Sequence, residues 1–239
     1  MGFFLFFTAK EFCEINKLKV IFPTLFCLIL YVVFNYYIDF SHFVFLKYFL
    51  LSISIVISIM LLFWLFSKTF KPFNQYILYF ILIFYILLPF IFLTKLPIID
   101  NQFFPSIIIS IFILIWTHDT FAYIVGKSFG KTKLLQHVSP KKTVEGFLGG
   151  LFFSIFFSIL ISKFYVPVFS ILHWILIAIL ISFLGTIGDL VESKFKRIAQ
   201  VKDSGNIMPG HGGMLDRLDS IIFVTPFLFL FFKISSYVS

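Results

Sequence analysis

Seven stretches of this sequence, at about 20–38, 48–66, 75–94, 103–118, 146–162, 166–187 and 221–232, contain no charged side chain. An α-helix needs about 20 mostly apolar residues to cross the hydrocarbon layer of a bilayer. Composition carries the same message: 60% of the residues are hydrophobic and 13% charged, against about 25% charged in water-soluble domains. A soluble enzyme is excluded. The reading is an all-α, polytopic transmembrane helical protein of about seven spans with two polar cytoplasmic loops. Residues 1–116 form an N-terminal set of transmembrane helices; 117–239 carry the polar loops, 119–145 and 189–220. Phe3 to Phe7 is apolar but too short to cross, lacks the basic start and cleavage site of a signal peptide, and reads as the stub of a shortened amino terminus. Cys13 and Cys27 have no His or Cys at metal spacing beside them, so neither a disulfide framework nor a zinc site is expected.

The formal charge is +8, and such an excess first suggests nucleic acid. Its placement argues otherwise. Lys10, Lys17, Lys19, Lys68, Lys71, Lys127, Lys131, Lys133, Lys141, Lys142, Lys194, Lys196, Arg197, Lys202 and Arg217 fall on one side of the seven spans. Only Lys47, Lys95, Lys163 and Lys233 fall on the other. The positive-inside rule makes the first side cytoplasmic, with the amino terminus and both long loops inside and the carboxyl terminus outside. Asp119, Glu145, Asp189, Glu192, Asp203, Asp216 and Asp219 lie in or beside the same two loops. Mixed charge on one face suits a multiply charged, metal-bound anion.

In the first loop, GKSFGKT (Gly126 to Thr132) has one residue too few between its glycines for a phosphate loop and follows a membrane helix instead of a strand. That reading is rejected. SPKKT is more informative: Ser139 reads as an N-cap and Pro140 as the first helical residue, with Lys141, Lys142 and Thr143 in the first turn. Free N–H groups, the helix dipole and two ammonium groups would then meet a substrate phosphate or, equally, an anionic lipid headgroup.

In the second loop, Asp216 and Asp219 are spaced to share a helix face just after Gly212 and Gly213, and Asp189 at the end of the sixth span could complete an acidic cluster. Mg2+ takes one or two protein carboxylates plus water and phosphate oxygens. The competing reading is of acids favoured by the helix dipole, or paired with Arg217. Glu192 and Lys196 read as a surface ion pair; Lys196, Arg197 and Lys202 are alternatively counter-charges to phosphate. His211 could be a base but fits better as a hydrogen-bonding brace in its Gly-rich turn. His42, His118, His137 and His173 have no partner spacing.

SKFKRIAQVKDSGNIMPGHGGMLDRLDS, Ser193 to Ser220, resembles the diagnostic pattern of the phosphatidate cytidylyltransferases, also called CDP-diacylglycerol synthases. DTFAYIVGKSFGK and SPKKTVEGFLGG upstream are similar to that family too, in the expected order, so the likeness covers about 117–220. It implies an integral membrane enzyme joining CTP to phosphatidic acid with Mg2+, giving CDP-diacylglycerol and pyrophosphate, in the cell inner membrane with its site facing the cytoplasm. By this resemblance Asp189, Asp216 and Asp219 are metal-site positions, and Lys196, Arg197, Lys202, Asp203, His211 and Arg217 the remaining polar positions. Val144 stands where the family often has Trp, and the amino-terminal region is short by about a span. Combining residues and resemblance, Asp189, Asp216 and Asp219 would hold Mg2+, Lys196, Arg197, Lys202 and Arg217 would contact phosphates, and Ser139 to Thr143 would anchor the substrate. No nucleic acid is expected; a second cation and a homodimer are left open. The rivals are a CTP-dependent lipid-alcohol kinase and, less well matched, a transporter, which would need ionisable groups at mid-membrane.

Overall fold

The structure is a computed structural model; it describes the chain except residues 39, 41, 100, 101, 167, 168, 208–211 and 239, and the side chains of 236–238. Helix α1 (Gly2–Ile15) is followed by α2 (Ile21–Val32), which continues as a π-helical turn, Val33–Tyr37. Then come α3 (Val44–Phe66), α4 (Gln75–Ile81), a second π-helical stretch (Leu82–Leu87) and α5 (Leu88–Lys95), the last three forming one rod. A short hairpin of β1 (Ile98–Ile99) and β2 (Gln102–Phe103) leads to α6 (Pro105–Phe129). A second hairpin, β3 (Lys133–Leu135) and β4 (Ser139–Thr143), precedes α7 (Val144–Phe164), α8 (Ile171–Ile198) and α9 (Leu215–Val238).

Among the described residues six helices are long and apolar enough to cross a membrane, and Ile21–Tyr37 is a shorter apolar one. The chain is therefore an integral membrane protein. The rod Gln75–Lys95 and α9 bury most of their surface inside the bundle, whereas α3 and α7 bury little and turn Phe45, Phe63, Phe152 and Phe156 outward. Exposed phenylalanine is unremarkable where lipid is the solvent.

Side-chain ties show which helix ends share a face. Lys194 near the end of α8 is fully buried and donates from Nζ to the carbonyls of Trp64 (2.5 Å) and Ser67 (2.6 Å) at the end of α3. Lys142 of β4 contacts Asp189 of α8, and Lys196 of α8 reaches Asp216 of α9. At the other face Thr94 Oγ1 donates to Asn35 Oδ1 (2.6 Å). The short helix Ile21–Tyr37 thus runs from the polar face to its opposite. At 1.5 Å per residue it reaches only about 25 Å, less than the ~30 Å hydrocarbon layer. The expected seven passages become six full ones and this short one.

Two expected loops shrink because their flanking helices run on. With no breaker before Ala199 and Gln200, whose φ is +59°, α8 continues well past Asp189. Asp189, Glu192 and Lys196 are helical residues. Asp119 and Lys127 likewise lie on α6. Close helix contacts use glycine: a Cβ on Gly146 would stand 2.6 Å from the Ala122 carbonyl, and one on Gly188 2.7 Å from that of Asp219. Small residues let membrane helices approach backbone to backbone, and these two contacts draw α6 to α7 and α8 to α9 beneath the polar face.

Candidate active site

The SPKKT segment does not begin a helix. Ser139 to Thr143 is strand β4, with Ser139 opposite Leu135 and Thr143 opposite Lys133. Pairing with β3 satisfies its backbone, and α7 starts only at Val144. Thr143 is the cap, its Oγ1 accepting from Gly146 N (3.2 Å). Ser139 is therefore no N-cap, and Lys141 and Lys142 project from a strand edge. Glu145 closes the preceding turn by accepting from the Lys131 and Thr132 N–H groups, both at 3.0 Å. Those donors, which a phosphate loop would offer to a nucleotide, are consumed inside the protein.

The ends of α6, β3, β4, α7, α8 and α9 surround a cleft of about 690 Å³. One wall bears Lys127, Lys133, Lys141 and Lys142; the other bears Asp189, Asp216, Asp219 and the exposed Arg217. Ile115, Trp116 and Phe147 line its apolar side, and Trp116 is 62% exposed on the outer surface of the bundle. The structure thus brings Lys141, Lys142, Thr143, Asp189, Asp216, Arg217 and Asp219 together in one cavity. Ser139, Lys196, Arg197, Lys202 and Asp203 do not line it. His211 lies outside the described residues.

Several of these placements correct the sequence reading. Glu192 and Lys196 form a buried pair at 2.6 Å, not a surface one, and Lys196 Nζ also donates to Asp216 Oδ1 at 2.5 Å. The ammonium is held between two carboxylates and is taken away from phosphate, because a charge removed from water needs its counter-charge in place. Arg197 Nε donates to the Val138 carbonyl (3.2 Å), bracing the hairpin from behind. Lys202 and Asp203 are exposed in the loop after α8.

The three aspartates do not converge on a single point. Among the described residues no three acidic, His or Cys side chains stand close enough to hold one ion between them. Asp216 has both oxygens engaged, Oδ1 by Lys196 and Oδ2 by Ser204 N and Gly213 N, each at 2.8 Å. It ties the loop to the helix start. Asp189 is contacted by Lys142 and accepts from Ser193 Oγ (3.2 Å). Asp219 is buried, one oxygen accepting from Ser220 N (2.7 Å), and the charges of Asp189 and Asp119 bear on it. Like charges gathered beside a cavity, with hard oxygen donors, fit a divalent cation that completes its shell with water and phosphate oxygens.

Sequence reasoning missed four cleft residues and one behind it. Asp119, Lys127 and Lys133 were counted as charge but given no place. His118, for which the sequence offers no partner spacing, is buried in the wall with Nδ1 3.4 Å from Asp119 Oδ1. Adjacency to Asp119 in the chain does not signal that the ring turns inward. Glu11 of α1 reaches the start of α9, a contact across most of the chain that no local pattern signals.

A model described as the cytidylyltransferase family matches residues 1–235. Curated relatives named phosphatidate cytidylyltransferase include one from Bacillus subtilis (strain 168), 47% identical over 127 residues, which are 52% of this chain and 46% of the relative. One from Staphylococcus aureus (strain COL) is 50% identical over 119 residues, 49% of this chain and 45% of the relative. Another, from Staphylococcus saprophyticus, is 52% identical over 119 residues, with the same shares. The aligned stretch thus spans about half the length of each.

Proposed function

The chain belongs to the cytidylyltransferase family, and from that premise we propose that it transfers CMP from CTP to phosphatidic acid, releasing pyrophosphate and forming CDP-diacylglycerol. The observation that carries this reading is the cleft with a lysine wall facing an aspartate wall at one end of a membrane bundle. A phosphate oxygen of the lipid bonds to the α-phosphorus of CTP as the bond from that phosphorus to the bridging oxygen of pyrophosphate breaks. Both reactants are polyanions, so the barrier contains their mutual repulsion, and fixed positive charge lowers it.

Lys127, Lys133, Lys141 and Lys142 stand where they can meet phosphate oxygens, with Arg217 able to fork onto two at once. Asp189 and Asp219 are the carboxylates that would hold Mg2+, which when bound supplies further charge neutralisation at the phosphates. Lys142 balances Asp189 across the cleft. Phosphatidate is already ionised near neutral pH, so the protein needs to position it and has little use for a strong base. His118, directed at Asp119, orients that carboxylate. Ile115, Trp116 and Phe147 give the acyl chains a side route from the bilayer while the headgroup meets the lysines. We assign the polar face to the cytoplasm, where CTP is found, and the chain to the inner membrane, on the basic excess at that face.

The test is purified protein with labelled CTP, phosphatidate and Mg2+, followed by identification of the lipid product. CDP-diacylglycerol supports the reading. Phosphorylated lipid with free CDP would make the protein a kinase, and no labelled lipid under any metal condition would remove the proposal. Chelation with EDTA should abolish product, and added Mg2+ should restore it.

A further inference from the structure

Among the described residues of the amino-terminal half, Glu11 is the one acidic side chain buried against the polar face, only 1% exposed. α1 presents Leu5, Ala9 and Phe12 along one stripe to the bundle, and Glu11 lies beside that stripe. A carboxylate there is tolerable only if its oxygens are bonded. Oε1 accepts from Met214 N (2.9 Å), and Oε2 from Leu215 N (2.7 Å) and Ser204 Oγ (3.0 Å). Two of these donors are free N–H groups at the start of α9, where the dipole favours an anion. The loop is shaped to this carboxylate: a Cβ on Gly205 would lie 2.5 Å from Oε1, and one on Gly213 2.4 Å from Oε2.

Ser204 links this contact to the site. Its Oγ donates to Glu11 and accepts from Asp216 N (3.3 Å), while its own N–H donates to Asp216 Oδ2. Glu11 and Asp216 therefore clamp the start of α9 from opposite sides. One turn further along the same helix stands Asp219, in the cleft wall. Glu11 does not line that cleft.

We infer that Glu11 is a positioning residue for nucleotidyl transfer: capping α9 from α1, it sets the axial and rotational placement of Asp216, Arg217 and Asp219. The inference rests on the reading of the site given above. It also means that the N-terminus of α9 is already filled by a protein carboxylate, so substrate phosphate must be met by the lysine wall.

The test uses the full chain in lipid nanodiscs with Glu11→Gln, which keeps size but replaces one acceptor oxygen by a donor. Hydrogen exchange across the chain is read together with kcat and KM for CTP. Expected are faster exchange confined to about residues 203–207 and 212–218, a kcat lower by about 10- to 100-fold, as for a small misplacement of reacting groups, and KM changed less than about threefold. Glu11→Asp should recover part of kcat. Wild-type exchange with kcat within about twofold would overturn the inference, as would faster exchange spreading through α6, α7 and α8, which marks a merely structural role. Should Glu11→Gln not accumulate folded, Ser204→Ala takes its place: it must loosen the same segment and lower kcat, and wild-type behaviour in it overturns the inference equally. If the wild-type chain forms no nucleotidyl lipid, the functional reading fails while exchange at 203–207 and 212–218 still reports on Glu11.

Discussion

The two walls of the cleft differ in how they hold charge. On the α6 and hairpin side, Lys127, Lys133 and Lys141 are exposed. On the α8 and α9 side, Asp219, Glu192 and Lys196 are buried or nearly so, and Asp216 is bonded at both oxygens. Exposed cations can reorganise around an arriving polyanion but are screened by salt. Buried groups cannot move without leaving a partner unpaired, so they define a fixed geometry and contribute to stability as well as chemistry. On the proposed function, one wall would collect substrate and the other would position it.

Mutations can break this division. Lys196→Met should have the largest effect, because it leaves Glu192 and Asp216 buried without their shared cation; a loss of about 3–5 kcal/mol is expected, read from thermal unfolding in detergent. Asp219→Asn should lower CMP incorporation by about 10²- to 10³-fold while the melting temperature stays near that of the wild type, separating chemistry from stability on the same wall. On the opposite wall, the double change Lys133→Gln with Lys141→Gln should raise KM for CTP by about tenfold with little change in kcat. The wild-type KM should itself rise with ionic strength as those charges are screened. Equal kcat losses on both walls would dissolve the distinction. Ser139→Ala should change activity less than about twofold, since Ser139 sits in a strand outside the cleft; a large loss would restore it to the substrate site.

Cys13 marks the quiet part of the molecule. Burial, and secondarily the charge of Glu14, pushes its thiol up to about 12. A raised pKa keeps the neutral form through the whole neutral and mildly alkaline range, so alkylation by iodoacetamide at pH 8 should be negligible until the protein is unfolded.

The membrane character, the positions of the longer spans and the gathering of charge on one face were legible because they depend on local composition and on the length of apolar runs. The start of α9 near Asp216 was also legible, from Gly212, Gly213 and the change to helical spacing. The extent of α8 was not: Glu192 and Lys196 look like surface residues in sequence, and become interior ones only because α9 packs over them. SPKKT carries a good helix-start signature, yet β3 takes its backbone first. A local capping preference of about 1 kcal/mol is easily outweighed by a strand ladder and by Thr143, a second cap four residues later.

By itself the sequence determined the solvent this chain lives in, the gathering of its charge at one end of the spans, and the residue types available there. Those properties follow from hydration of individual segments, which each segment carries with it. Only tertiary structure decided how each carboxylate of the cleft is engaged. Asp216 and Asp219 share spacing and chemistry and both line the cavity, but Asp216 is drawn to the Ser204 and Gly213 N–H groups and to Lys196, whereas Asp219, one turn further along α9, accepts from Ser220 N. The same is true of Glu11, whose partners lie on segments brought beside it by helix packing. Hydrogen bonds are made to whatever is near in space, and nearness between distant segments is a product of the whole fold.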